Sequence, residues 1–99
     1  MKASIQYNTL NGLWILFIDC KYEDSPKYIR MITKIIIKML SGTIIPGNRR
    51  RVRSGRHYLI HEHVVELHTD EWFPLVLASE RKELLEGIKS IFLDMSGKK

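Results

Sequence analysis

Ninety-nine residues, 44% hydrophobic and 27% charged, are enough for one folded domain over residues 1–99 and too rich in Ile, Leu, Val and Phe for a disordered chain. One cysteine, Cys20, excludes an intrachain disulfide framework, and no apolar run approaches the roughly 18 residues that span a bilayer. The net charge of +5 makes an anionic partner the first class to consider.

Ala3, Ile5 and Tyr7 alternate with Ser4 and Gln6, which predicts a strand. Asn8 to Gly12 is turn chemistry, and the bulky run Leu13 to Cys20 predicts a second strand, buried over most of both faces. Cys20, at the end of that run, is expected to be a small buried hydrophobe. Met1 to Tyr7 lacks the basic-then-apolar order of a signal peptide, so the expected setting is intracellular.

Ser25-Pro26 predicts a helix start, with Ser25 as N-cap and Pro26 in the first turn. The helix is expected to reach Ser41 and to stop at a left-handed Gly42. Lys27, Arg30, Lys34, Lys38 and Ser41, in steps of three and four, form its polar stripe. Ile29, Ile32, Ile36 and Met39 or Leu40 fill the other side.

Thr43 to Asn48 reads as a loop, Arg49 to Arg53 as a short strand, and Ser54-Gly55 as a tight turn. His57 to His68 predicts one long strand. Trp72 to Leu77 predicts another, and Pro74 within it points to an edge or a bulge. Ser79 is placed to cap a last helix that carries Leu84, Leu85, Ile88, Ile91, Phe92 and Met95 at helical spacing. The order is strand–strand–helix–strand–strand–strand–helix. Hairpin links between the strands predict an α+β fold, a mostly antiparallel sheet with two amphipathic helices packed on it.

Charge is distributed unevenly along this order. From Ser25 to His61 there are nine Lys or Arg and no acid; from there on, eight acids face five Lys or Arg. The nine are Lys27, Arg30, Lys34 and Lys38 on the helix stripe, then Arg49, Arg50, Arg51, Arg53 and Arg56 beyond it. Guanidinium forks match phosphate oxygens, and Gly47, Ser54 and Gly55 would admit backbone N–H groups as well. The pattern predicts an electrostatic footprint for nucleic acid. The competing readings are a solvated helix face beside a charged edge strand, and a surface for an acidic protein, with a homodimer as one form of such an interaction module.

His61 and His63 would point to one face of a continuous strand, and two imidazoles so placed could hold a metal. The pair resembles the paired histidines of rolling-circle replication nucleases, which would imply a metal-dependent nuclease. Those families set a bulky apolar residue between the histidines where this chain has Glu62. They also need a helix tyrosine after the pair, whereas Tyr28 precedes it. Glu62 and Glu66 stand about 13 Å apart along one strand, too far for joint acid–base work. No Ser–His–Asp set, phosphate loop or dinucleotide fingerprint occurs, so neither an enzyme nor a cofactor is expected.

Taken whole, the Ile32-Thr33-Lys34-Ile35-Ile36-Ile37-Lys38 run, the arginine block and the chain length resemble a family of small proteins shared by lipothrixviruses and rudiviruses, filamentous viruses of hyperthermophilic archaea. The resemblance implies a rugged, hyperthermostable α+β protein of unassigned function acting inside the host cell. It supplies no catalytic residues.

Overall fold

The computed structural model describes residues 2–45, 56–68 and 74–96. Six strands form one sheet: β1 (Lys2–Asn8), β2 (Leu13–Asp19), β3 (Thr43–Ile44), β4 (Arg56–Ile60), β5 (His63–His68) and β6 (Leu75–Ser79). Their spatial order is β1-β2-β6-β5-β4-β3, and every neighbouring pair is antiparallel. Two helices, α1 (Ser25–Lys34) and α2 (Lys82–Met95), pack on it. The fold is α+β, as the alternation and hairpin spacing predict.

Register fixes which residues meet the helices. Leu16 and Ile18 lie opposite Leu77 and Leu75, Leu77 lies opposite Leu67, and Tyr58 lies opposite Val65. These residues and Ile60 are buried in one cluster with Ile32, Ile35 and Ile36 from the first helical segment and Leu85, Ile88 and Phe92 from α2. Each fully buried aliphatic side chain contributes about 1.5–3 kcal/mol, so this single layer carries most of the stability. Only Leu16 and Ile18 of β2 are buried; Leu13, Trp14, Ile15 and Phe17 are half-buried, so the second strand is not enclosed on both faces.

Several local expectations change. Asp24, not Ser25, is the N-cap of α1. A short 3-10 turn, Tyr22–Asp24, precedes it, and the Ser25 hydroxyl donates to the Tyr22 carbonyl at 2.8 Å. After Lys34 the helix widens into a π-helical turn, Ile35–Met39, in which the Leu40 N–H donates to the Ile35 carbonyl at 3.0 Å. This wider turn buries both Ile35 and Ile36. Of the two candidates for the inner side, Leu40 packs against the core and Met39 is 55% exposed.

The left-handed residue after this segment is Ser41 (φ 58), not Gly42. Gly42 is required for a different reason. Its N–H donates to the Ile36 carbonyl at 2.7 Å, and a Cβ there would sit 2.7 Å from Ile36 Cγ2 and 3.0 Å from Ile60 Cγ1.

Thr43–Ile44 is an edge strand inside the expected loop. The strand expected at Arg49 to Arg53 lies outside the described residues. The single strand expected from His57 to His68 is a hairpin, turned at His61 (φ 48) and Glu62 (φ 71) with Ile60 opposite His63. Positive φ at both central residues is the turn geometry that matches strand twist. The strand after Pro74 is not at an edge: β6 begins one residue later and lies between β2 and β5. Trp72 and Phe73 lie outside the described residues. Ser79 ends β6 and its hydroxyl accepts the Arg81 N–H at 3.1 Å, while α2 starts later, at Lys82.

Candidate nucleic-acid interface

The spacing along α1 and the π-turn after it brings their cations together. Lys27, Arg30, Lys34 and Lys38 are all exposed, on the side away from buried Ile32, Ile35 and Ile36. Their turn of helix is anchored from below: the hydroxyls of Thr33 and Tyr58 share a hydrogen bond at 3.2 Å, tying α1 to β4. Farther along, the Tyr28 ring meets the edge of Phe92 with centroids 5.4 Å apart, tying α1 to α2. The Lys27 ammonium lies 5.6 Å from the Tyr28 ring centre.

Beside this stripe runs a groove of about 540 Å³, lined by Pro26, Ile29, Arg30, Thr33, Lys34, Ile37 and Lys38. The groove residues Pro26, Ile29, Thr33 and Ile37 were not singled out from the sequence as part of a site. Their helical spacing alongside Arg30, Lys34 and Lys38 was the available signal.

Among the described residues none of the four stripe cations forms an ion pair. The ion pairs lie elsewhere, Arg81 with Glu83 at 3.4 Å and Lys82 with Glu86 at 3.7 Å, and the imidazoles of His57 and His63 approach Glu66 at 3.7 Å and Glu80 at 3.3 Å. Of the arginine group, Arg49, Arg50, Arg51 and Arg53 lie outside the described residues. Arg56 is the first residue of β4, opposite Leu67.

The histidine pair does not form as the alternation predicts. His61 is exposed in the turn, while His63 opens β5, so the two do not share one strand face. Nδ1 of His63 meets Glu80 at 3.3 Å, and Nε2 meets the Arg81 Nη1 at 3.4 Å. A guanidinium only donates, so Nε2 accepts and the ring proton sits on Nδ1, donated to Glu80. Both ring nitrogens are thereby engaged in structure. Among the described residues no three His, Cys, Asp or Glu side chains are grouped to hold a metal.

Among the described residues two ionisable groups are displaced from their ordinary values. Burial, reinforced by the Asp24 and Asp19 carboxylates, pushes the half-buried Cys20 thiol up, which keeps it protonated and unreactive near neutral pH. The Glu83 carboxyl is held down by its own backbone N–H at the start of α2 and by Arg81. Among the described residues no helix is long and apolar enough to cross a membrane. No family model, no curated protein and no solved structure matches the chain.

Proposed function

We propose that this protein is a non-enzymatic nucleic-acid-binding protein that engages the phosphate backbone through the outer face of α1 and its π-turn. One observation carries the reading: Lys27, Arg30, Lys34 and Lys38 share one exposed helical face, and no described acid pairs with any of them. Unpaired cations on a rigid element are pre-set for phosphate, because no internal ion pair has to break on binding.

Fluorescence anisotropy with a labelled duplex, titrated at several salt concentrations, tests it. Four phosphate contacts give a log–log salt slope of roughly −3.6. A slope near about −5 would recruit further cations, the arginines between 49 and 56 being the available ones. Replacing Arg30, Lys34 and Lys38 by alanine together should flatten the slope by roughly 2.7, uniformly across sequences. Absence of binding at about 50 mM salt overturns the proposal and leaves the face to an acidic protein partner.

A further inference from the structure

The two edges of the sheet differ. One is β3, only two residues long. The other is β1, seven residues long, whose outer edge has no strand partner among the described residues. In an antiparallel ladder every second residue of such a strand points its N–H and C=O away from its neighbour, a ready template for another strand.

Soluble proteins block such an edge with proline, interior charge or a bulge. β1 has none of these. Its sequence, KASIQYN, contains no proline and one charge, Lys2, at its first residue. Its register against β2 runs unbroken from Lys2 opposite Asp19 to Asn8 opposite Leu13. On the helix side it presents half-buried Ala3 and Ile5 and half-exposed Tyr7.

We propose that β1 pairs antiparallel with β1 of a second copy, about a two-fold axis at Ile5. The strand is its own complement in that register. Ile5 meets Ile5, small Ala3 meets large Tyr7, Ser4 meets Gln6, and Lys2 meets Asn8 rather than another lysine. All seven residues pair, and matched alternation keeps both helix layers on one side of a continuous sheet. Because α2 is the helix packed over β1, the pairing brings the two α2 flanks together and leaves the basic stripes of α1 clear of the interface. The inference does not depend on the nucleic-acid reading.

Light scattering after size exclusion, without nucleic acid, is the test. Unaltered protein should run at twice the mass of one chain and dissociate on dilution. The paired substitution Ser4→Lys with Gln6→Lys sets lysine against lysine at both mixed positions and should yield monomer. Ser4→Glu with Gln6→Lys sets opposite charges together and should keep the dimer. Ser4 and Gln6 are exposed, so both variants should retain the native circular dichroism spectrum. Hydrogen exchange gives a readout free of substitutions: β1 amides should slow as concentration rises. A monomer at millimolar concentration, or a dimer indifferent to the sign of the introduced charges, overturns the proposal.

Discussion

Helix α2 holds Lys82 at 3.7 Å from Glu86, and at its start Arg81 lies 3.4 Å from Glu83. Lys82 also lies 4.8 Å from the Trp14 ring centre. Helix α1 and the π-turn that continues it rest on the same side of the sheet and together carry four cations with no acid within pairing distance among the described residues. α2 is α-helical from Lys82 to Met95, whereas the segment from Ser25 gives way to a π-turn at Ile35. At the start of α2 the charges meet opposite partners, Arg81 with Glu83 and Lys82 with Glu86, as on a solvated face that needs no partner. On α1 they do not, and similar residue types become a surface still lacking its counter-charge. Local sequence decides this: acids alternate with cations on α2 and are missing from Ser25 to His61.

Three variants press on that contrast. The largest effect is expected at the end of the π-turn. Gly42→Ala places a methyl 2.7 Å from Ile36 Cγ2 and should destabilise by about 1–3 kcal/mol. Thermal denaturation reads that as a melting temperature lower by about 4–8 °C per kcal/mol. An unchanged melting temperature would mean that α1 tolerates an ordinary ending and that its distortion is incidental.

Next comes a charge control. Lys82→Ala with Lys89→Ala removes two cations from α2, and the salt slope of nucleic-acid binding should stay where it was. If it falls by roughly 1.8, the value for two lost phosphate contacts, the two helices are equivalent and the stripe has no special standing.

The smaller of the two stability effects has the opposite sign to the first. Gly87 lies inside α2 with nothing within 4 Å of a built Cβ, so Gly87→Ala should stabilise by up to about 1 kcal/mol. A paired melting experiment on the two glycine variants should therefore move in opposite directions.

Much of this was legible in the residues. Alternation in Ala3 to Tyr7 and the turn at Asn8 to Gly12 mark the first hairpin, and the three-and-four spacing of Lys27, Arg30, Lys34 and Lys38 marks the stripe. The second hairpin was hidden because its turn residues, His61 and Glu62, carry none of the Gly or Asn chemistry that usually marks positive φ. The apolar alternation also runs on through them. In fact the pattern reverses there: Tyr58 and Ile60 share their buried face with Val65 and Leu67, not with Val64. That reversal is what took the histidine pair apart. Gly42 drew the left-handed assignment by residue type, although the tight approach to Ile36 and Ile60 is what demands a glycine there. β3 carries no periodicity because two residues cannot show one. The edge of β1 is different again: its lack of interior charge is written in the sequence, but only the strand order shows that no strand lies beside it among the described residues.

The central seam of the sheet sets how the chain reaches this state. β1 with β2, and β4 with β5 and β6, are neighbours both along the chain and in space. β2 against β6 is not: Leu16 must find Leu77, and Ile18 must find Leu75, with everything between them in place. Hairpins close in about 1–10 μs, whereas a pairing of such long sequence separation must first meet the entropy of closing the intervening loop. The folding rate therefore depends on this one zipper, and substitutions at Leu16, Ile18, Leu75 or Leu77 should slow refolding more than those in either hairpin alone.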